Sequence, residues 1–383
     1  MDFDLSKEQL EKKAFFERFA KDEIGPHLDR LEEDIEFRSK VYKKMAKAGL
    51  FSLSIPKEFG GNFSDNITYA LAMIAISKVD AGLSVAVNVT NMAGEAILKF
   101  GNSEQKQFYL PRIGTGDCAP AAFALTERES GSDAKTIRTR AVEENDNYVL
   151  SGEKQFISNG DLAEFLIVFA KTQENDDPAH GITAFLLDKR TAGLSVAKKE
   201  RKLGLLTANL VDLKLDHCKI PKNKMLGKLN EGFKIALTSL DSGRISIAAQ
   251  SVGIAEAAYE AALNYAQNRK QFDQPLANFE GIAFKLADMR VKLSAAKLLL
   301  FKACIYKDQG KPFTLEASEA KLFASESCNE IASEALQIHG GYGYVKDYYP
   351  VEKYFRDARV TTIYEGTSEI QRLVIAREIL KHQ

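Results

Sequence analysis

The spacing of apolar residues changes twice along this chain, and these changes constrain its fold more than any other feature. Between residues 121 and 227 the apolar residues form short continuous or alternating runs, such as 165–169, 182–187 and 210–215. Turn-forming residues separate the runs, as at 144–147. Short apolar runs bounded by turns are typical of β-strands. The pattern therefore predicts a compact antiparallel β domain in the middle of the chain.

Both flanking regions have the three-to-four-residue spacing of amphipathic helices. The predicted helical segments are 10–19, 41–50 and 69–87 before the β domain, and 233–269, 279–307, 315–339 and 368–382 after it. A chain of 383 residues also exceeds the roughly 250 to 300 residues that one core usually holds. The sequence thus predicts an α+β protein. Its three parts are an N-terminal helical domain (1–120), the middle β domain (121–227) and a C-terminal four-helix bundle (228–383).

Charge and composition argue against several classes of function. The chain has 52 Lys and Arg residues against 53 Asp and Glu, and its formal net charge is −1. Nucleic-acid binding needs a concentrated basic surface, so we expect no nucleic-acid partner. No apolar run reaches the roughly 18 residues of a membrane span, and residues 1–6 lack a signal-peptide pattern. We therefore expect a soluble cytoplasmic protein without a membrane partner.

Cysteine and histidine spacing gives no sign of a metal site. Cys118, Cys218, Cys304 and Cys328 lie far apart and form no C-x-x-C pair. This spacing predicts reduced, mostly buried thiols rather than a disulfide framework or a zinc site. The five histidines also lack metal-ligand spacing. We expect no metal cofactor.

A segment near the C-terminus carries a candidate general base. Glu365 follows Tyr364 and precedes Gly366, whose missing side chain lets a ligand approach the backbone closely. Ser368 and Gln371 have the S-x-x-Q spacing of a capping box, so we expect them to begin the final helix. A helix start also offers free N–H groups to an anionic ligand group. By themselves these residues favour a plainer interpretation, a loop acid before a capped helix.

Five further segments follow one another along the chain. They are 123–133 (FALTERESGSD), 152–160 (GEKQFISNG), 240–244 (LDSGR), 269–275 (RKQFDQP) and 337–343 (QIHGGYG). Together with 356–359 (RDAR) and the segment around Glu365, they closely resemble the acyl-CoA dehydrogenase family. The resemblance covers essentially the whole chain and is strongest to the short-chain or butyryl-CoA dehydrogenase branch.

Each segment taken singly has a structural interpretation. Asp241 and Arg244 would form an exposed ion pair worth at most about 1 kcal/mol. The glycines at 340–343 would end a helix, since they follow a helix rather than the strand of a dinucleotide-binding motif. Phe156 and Phe272 would be core residues. The joint occurrence of the segments, in order, favours a flavin-binding enzyme instead.

The resemblance implies noncovalent FAD between the β domain and the C-terminal helices. Residues matching the family's contacts around the flavin ring are Phe123, Leu125, Thr126, Ser132, Phe156, Ile157 and Ser158. Residues matching its contacts to the ADP part, across a subunit contact, are Arg269, Phe272, Glu280, Gln337, Gly340 and Gly341. Thr367 and Glu369 would close over the cofactor. The family's usual assembly implies a homotetramer.

The resemblance also implies the reaction, which converts an acyl-CoA to a trans-2-enoyl-CoA and passes electrons to an electron-transfer flavoprotein. Glu365 would remove the α proton. The matching substrate-binding residues are Ser132, Asp241, Arg244, Tyr364 and Gly366. Some relatives carry the base on the helix near Asp241, but Gly243 stands in that position here. Glu365 is thus the candidate base.

Four departures from the family's pattern concern the cofactor. The chain has no Trp, and Phe156 stands where these enzymes commonly carry one. Arg128 and Glu129 replace a pair of small residues in the flavin loop, and Asp273 replaces a glycine. Glu280 stands where an amide is common, and a carboxylate near pyrophosphate is unfavourable unless an arginine offsets it.

Two other functions stay open at the level of sequence. One is a related flavoenzyme that acts on a carrier-protein-bound or unusual acyl thioester, or that runs as an enoyl-CoA reductase. The other is a non-enzymatic homologue, either DNA-associated or an assembly factor. The absence of a basic extension and the presence of Glu365 count against the second.

Overall fold

The computed structural model describes residues 4–173 and 179–381, and six helices form the region before the sheet. They are α1 Lys7–Phe19, α2 Leu28–Glu33, α3 Ile35–Lys47, α4 Asn66–Val79, α5 Ala81–Phe100 and α6 Ser103–Thr115. The segment predicted as one helix over 69–87 is divided between α4 and α5. Asp80 has an extended backbone and accepts a hydrogen bond from the Leu83 N–H (2.8 Å), so it caps α5 and ends α4.

The described residues of the middle region form one sheet of eight strands. They are β1 Ala121–Ala124, β2 Arg140–Glu144, β3 Asn147–Ser158, β4 Phe165–Lys171, β5 Ile182–Asp188, β6 Leu194–Lys199, β7 Leu210–Pro221 and β8 Met225–Leu226. The order is β6-β7-β3-β2-β4-β5-β8, with β1 paired to β4. Most strand pairs are antiparallel, as predicted, but the sheet is mixed, because β1 runs parallel to β4 and β2 meets β4 in one parallel pair. A parallel pair needs a long connection, and here that connection contains β2 and β3.

The continuous apolar run in β4 is explained by burial on both faces. Phe165, Ile167 and Phe169 join the main core with the helices, while Leu166 and Val168 join a second core inside the sheet region. Successive side chains of a strand point to opposite faces, so both sets must be apolar. The sheet is thereby fixed between its own core and the helical part of the molecule.

The C-terminal region contains four long helices, as predicted, together with two short ones. They are α7 Gly232–Asn268, α8 Glu280–Asp308, α9 Thr314–His339, α10 Gly341–Tyr344, α11 Val351–Arg359 and α12 Ser368–Leu380, with a hairpin of β9 Lys270–Gln271 and β10 Gln274–Pro275 after α7. The predicted end of the last helix, His382, lies outside the described residues. Helix α7 packs against α4, α5, α8, α9 and α11. It is the central element between the N-terminal helices and the rest of the C-terminal region.

Candidate active site

The loop that carries Glu365 has an unusual backbone. Glu365 and Gly366 both adopt left-handed conformations, with φ values of 54° and 88°. A glutamate at positive φ is uncommon, and such strain persists where the surroundings impose it. The expected capping box at Ser368 is wrong by one residue, because Thr367 is the N-cap and accepts from the Ile370 N–H (3.3 Å). Gln371 instead donates to the carbonyls of Glu365 (3.1 Å) and Gly366 (2.9 Å).

The carboxyl group of Glu365 is short of compensating partners. Its Oε2 is buried and has no hydrogen-bond partner among the described residues. Burial raises the pKa of this carboxyl to about 7, and the charges of Arg244 and Lys321 and a hydrogen bond from Asn88 only partly oppose that shift. A carboxylate with a pKa near neutrality is suited to accept a proton at physiological pH.

Gly243 of α7 forms the wall beside this carboxyl. A Cβ atom built on Gly243 would lie 2.5 Å from Oε2 and 2.9 Å from Cδ of Glu365. No other residue type therefore fits there unless the carboxyl moves. The helix position where some relatives carry their base thus lies directly against Glu365 in this chain.

A cavity of about 830 Å³ adjoins the base. It lies between α5, the ends of β1 and β3, α7, α12 and the loop before α12. Ten of the residues predicted for the site line it: Phe123, Leu125, Thr126, Ser132, Phe156, Ser158, Arg244, Tyr364, Glu365 and Gly366. Segments far apart in sequence therefore meet around one space that also holds the candidate base.

Phe156 is not the core residue that the plainer interpretation expected. Its backbone is left-handed (φ 57°), it lies at an irregularity between β3 and β7, and its side chain is 53% exposed. Its N–H donates to Oδ1 of Asp212 (3.0 Å). A bulge of this kind redirects a side chain, and here the ring lines the cavity.

Buried charges support the loop that precedes Ser132. Lys154 is fully buried and its Nζ donates to the Leu125 carbonyl (3.1 Å) and to Oε1 of Glu127 (2.7 Å). Arg128 and Glu129, the departures from the family's pattern, are exposed and do not line the cavity. Glu129 forms an ion pair with Arg138. The two departures therefore lie outside the lining of the cavity.

Four predicted residues lie close to the cavity without lining it. The Ile157 side chain packs in the second core. Asp241 forms an ion pair with Arg244 and accepts from the Thr314 hydroxyl (2.7 Å). This pair is not the exposed one considered above, because Arg244 is buried. The other two residues begin α12, where Thr367 is its cap and Glu369 is exposed.

The residues predicted for the ADP part lie elsewhere, at the end of the C-terminal bundle. They are Arg269, Phe272, Glu280, Gln337, Gly340 and Gly341, and none lines the cavity. The Arg269 guanidinium lies 5.6 Å from the ring centroid of Tyr342, which brings the end of α7 to the short helix α10 that follows α9. Phe272 is 88% exposed in the hairpin, so it is not a core residue either. Asp273, which replaces a glycine, has a φ of 63°, a conformation that Asp tolerates better than most residues.

Several residues around the cavity were missed in the sequence. Asn88 contacts the carboxyl of Glu365, and Lys321 donates from α9 to the Gly366 carbonyl (2.6 Å). One cavity wall is a face of α7 formed by Phe233, Leu237 and Leu240. The spacing of those three apolar residues was visible in the sequence, but it indicates a buried helix face and not a ligand.

Tyr364 is held in place by a chain of hydrogen bonds that passes through Gln250. Its hydroxyl donates to Oε1 of Gln250, whose Nε2 donates to the Ala81 carbonyl (2.8 Å) and the Ser84 hydroxyl oxygen (2.9 Å). This chain of hydrogen bonds joins the base loop to α7 and α5. The position of Glu365 is thus tied to the helical core.

The described residues show neither a cluster of three His, Cys, Asp or Glu side chains able to hold a metal nor a helix long and apolar enough to cross a membrane. All four cysteines are free and buried, as the sequence predicted. The candidate site consists of the cavity, the carboxyl of Glu365 and the buried cations of Arg244 and Lys321.

The cavity is compatible with the cofactor that the sequence implied. It is open enough for a flat ring system, and its walls offer aromatic and apolar surface from Phe123, Leu125 and Phe156 with hydroxyl groups from Thr126 and Ser158. Sites for large organic cofactors have this combination of apolar walls and few polar groups. The residues present thus fit an isoalloxazine ring.

Comparison with known proteins identifies the family. Three family models match consecutive parts of the chain: the N-terminal domain of acyl-CoA dehydrogenase at residues 6–117, the middle domain at 122–218 and the C-terminal domain at 230–380. The three matches together span nearly all of the chain.

Individual relatives cover the chain from end to end. An acyl-CoA dehydrogenase of Bacillus subtilis is 46% identical over 377 residues, 98% of this chain and 99% of that protein. The caffeyl-CoA reductase–Etf complex subunit CarC of Acetobacterium woodii is 44% identical over 365 residues, 95% of this chain and 96% of that protein. The solved butyryl-CoA dehydrogenase of Megasphaera elsdenii is 38% identical with a TM-score of 0.94, covering 99% of this chain and 100% of that one. The chain belongs to the acyl-CoA dehydrogenase family and is an FAD-dependent oxidoreductase.

Proposed function

We propose that this cytoplasmic enzyme dehydrogenates a short-chain acyl-CoA to its trans-2-enoyl-CoA, with Glu365 as the base that removes the α proton. The observation that supports this most directly is the carboxyl of Glu365, which has an unpaired Oε2 and a raised pKa. It lines the same cavity as the residues of the flavin loop. An acid that merely stabilised the loop would be paired or exposed.

The reaction requires the carboxylate of Glu365 to have a raised pKa and to lie next to the α carbon of the substrate. An α C–H next to a thioester is too weakly acidic for a solvated carboxylate, and burial makes the carboxylate a stronger base. We assign the stabilisation of the enolate-like charge on the thioester carbonyl to the backbone N–H of Glu365. When bound, FAD supplies the acceptor for the hydride that leaves the β carbon. The left-handed loop and the Tyr364 hydrogen bond hold the base against the substrate.

The cofactor and substrate are assigned to two parts of the cavity. We place the flavin ring against Phe123, Leu125, Thr126, Phe156 and Ser158, with Ser132, Thr367 and Glu369 at its edge. The acyl group then lies between the ring and Glu365, along the apolar face of α7. Arg244 and its partner Asp241, also on α7, would contact the pantetheine arm of the acyl-CoA. The apolar side chains along α7 favour an unsubstituted acyl chain, and the charged side chains of the lining other than Arg244 and Glu365 are Asp133, Lys135 and Arg377.

We also propose a homotetramer. The six residues assigned to the ADP part lie away from the cavity, as expected if they serve a neighbouring subunit's FAD. Helix α8 carries an exposed apolar stripe at seven-residue intervals, formed by Phe284, Val291, Leu298 and Ile305, which are 64%, 68%, 51% and 40% exposed. Such a stripe supports helix packing between subunits. Sedimentation of the holoenzyme would give the tetramer mass, while a monomer would contradict the assignment.

The test of the proposed base is the Glu365→Gln variant. We expect it to retain FAD and acyl-CoA binding but to lose roughly 10²- to 10⁴-fold in turnover, the usual contribution of a general base. The measurement is anaerobic bleaching of the flavin absorbance by butyryl-CoA. Glu330→Gln is the matched control, because this exposed acid on α9 pairs with Lys292 on the surface. Near-normal bleaching in Glu365→Gln would falsify the assignment.

A second candidate is the reverse reaction, reduction of an enoyl-CoA. The similarity to a caffeyl-CoA reductase subunit favours it, and the same base would then return a proton to the α carbon. That relative's Etf complex also supports an electron-transfer flavoprotein as the redox partner in either direction. Rates measured both ways with that flavoprotein, on straight, branched and carrier-bound acyl groups, distinguish the two directions. A faster reduction would assign the enzyme as a reductase.

A further inference from the structure

Lys321 is a buried charged group that the proposed reaction does not use. It lies on α9 and is 0% exposed, although a lysine is among the residues least often fully buried. Its Nζ donates to the Gly366 carbonyl (2.6 Å), directly after the candidate base. A buried ammonium is costly unless it is paired, so an apolar residue would be expected here if the position only filled space.

Lys321 is acted on by charges from three helices and the base loop. Burial lowers the pKa of Lys321 to about 8, and the charge of Arg244 from α7 adds to that shift. The charge of Glu365 is the largest that opposes it, and those of Glu369 from α12 and Glu326 from α9 oppose it as well. The carboxyl of Glu365 is in turn acted on by Arg244 from α7, Lys321 from α9 and Asn88 from α5. The negative charge of Glu365 also contributes to raising the pKa values of two phenols, those of Tyr69 on α4 and Tyr364. Glu365 and Lys321 are therefore electrostatic partners within one buried group.

Lys321 also restrains the strained part of the loop. Gln371 donates to the carbonyls of Glu365 and Gly366, and Lys321 donates to that of Gly366, so three hydrogen bonds hold two successive carbonyls. Both residues have left-handed backbones, which an unrestrained loop would relax. One donor comes from α9 and the other from α12. The backbone of the base loop is thus held by side chains from two helices, α9 and α12.

We propose that Lys321 is a positioning residue for the base: its hydrogen bond fixes the Gly366 carbonyl, and its positive charge keeps more of Glu365 in the ionised form that can accept a proton. The inference depends on the proposed role of Glu365. Lys321 would have two separate effects, one on the geometry of the loop and one on the charge beside the base. One substitution of Lys321 can remove the charge alone, and another can remove both the charge and the hydrogen bond.

Lys321→Gln retains a donor for the Gly366 carbonyl but removes the charge. Losing a nearby cation raises the pKa of a carboxyl, typically by about 1 to 3 units. We expect the acid limb of the pH profile of kcat/KM to move to higher pH by about one unit, while kcat on the alkaline plateau changes less than about threefold. Lys321→Met removes both donor and charge, so the plateau should fall as well, by about tenfold or more. Lys321→Arg should keep the wild-type limb.

A second readout isolates the base from electron transfer. Acetyl-CoA has an α carbon but no β carbon, so the holoenzyme can exchange its α hydrogens with D2O but cannot dehydrogenate it. The pH dependence of that exchange should shift in Lys321→Gln as the profile of kcat/KM does. Lys285→Met is the matched control, since Lys285 pairs with Glu334 of α9 on the surface. It should leave both profiles unchanged.

The outcomes distinguish this inference from the proposed function. If Lys321→Gln keeps the wild-type acid limb in both assays while Glu365→Gln is inactive, Lys321 has no electrostatic role and the inference is wrong. If Glu365→Gln exchanges and turns over normally, the proposed function itself fails. Should Lys321→Met not fold, Lys321→Gln and Lys321→Arg still decide the question.

Discussion

Two groups of buried charges in this molecule are arranged in opposite ways. At the junction of the three regions, Nζ of Lys353 lies 3.3 Å from Asp80 and 2.5 Å from Asp357. The two carboxylates also accept from the Thr207 hydroxyl (2.5 Å) and the Leu205 N–H (2.5 Å). Oδ2 of Asp80 makes no hydrogen bond, but it lies within this ion pair. At the candidate site, by contrast, Oε2 of Glu365 has neither a hydrogen bond nor an ion pair among the described residues, and Nε of Arg244 has no hydrogen-bond partner there.

The pKa values express the same difference. Burial acts to lower the pKa of Lys353, but its two carboxylates reverse the effect and raise that pKa above its usual range. Burial lowers the pKa of Lys321 to about 8 and raises that of Glu365 to about 7, and their neighbours do not reverse either shift. Burial also still raises the pKa of Asp357 at the junction, so the two groups differ chiefly in their lysines. Compensated charges stabilise a fold, while undercompensated ones mark sites where chemistry needs a poised group.

The largest expected effect is at the junction, in Lys353→Met. Removing one partner of a buried ion pair leaves the others uncompensated, which typically costs about 3 to 5 kcal/mol. We expect the free energy of unfolding, measured with urea on the holoenzyme, to fall by that amount. Lys292→Met is the control, because its pair with Glu330 is largely exposed and should contribute at most about 1 kcal/mol. Equal effects in the two variants would show that burial does not increase the contribution of the Lys353 pair to stability.

At the candidate site, removal of the buried charge in Glu365→Gln should instead stabilise the protein at pH 8. Because the folded-state pKa of Glu365 is raised from 4.5 to about 7, the folded protein holds this proton more tightly than the unfolded chain. Stability is therefore lost as pH rises from about 4.5 to 7. Glu365→Gln removes this loss and should gain roughly 3 kcal/mol at pH 8 relative to its effect at low pH. Urea unfolding at the two pH values measures the gain, and a variant less stable at pH 8 would contradict it.

The smallest effect is expected for Gly243→Ala. The added methyl group would lie 2.5 Å from Oε2 of Glu365, so the carboxyl must shift. We expect kcat/KM to fall roughly 10- to 100-fold, while the gain in helix propensity keeps unfolding within about 1 kcal/mol of wild type. Gly281→Ala provides the comparison, since its added Cβ meets nothing within 4 Å. If both variants keep full activity, Gly243 does not restrict the base.

Much of the fold was predictable because its long helices have regular apolar spacing. The predicted bounds of α7, α8 and α9 lie within one residue of the observed ones. The sheet was predicted with less detail, because the apolar pattern of a segment predicts a strand but not its neighbours in the sheet. The parallel pairing of β1 with β4 depends on where the chain returns after β3.

The candidate site was predictable only where residues form compact motifs. Glu365, Thr126 and Phe156 belong to such motifs, and the structure brings them to one cavity. Lys321 does not, since it is a single lysine within a helix, 45 residues from the carbonyl that it contacts. Its burial depends on the packing of α9 against α7 and α12, which the local sequence does not encode.

The Lys353 junction limits how this protein can be divided. Asp80 comes from the N-terminal helices, Leu205 and Thr207 from the sheet region, and Lys353 and Asp357 from the C-terminal helices. A fragment cut between these regions would carry part of this group into solvent without its counterparts. Exchanging one region with that of a relative is therefore expected to succeed only when the acceptor supplies the matching charges.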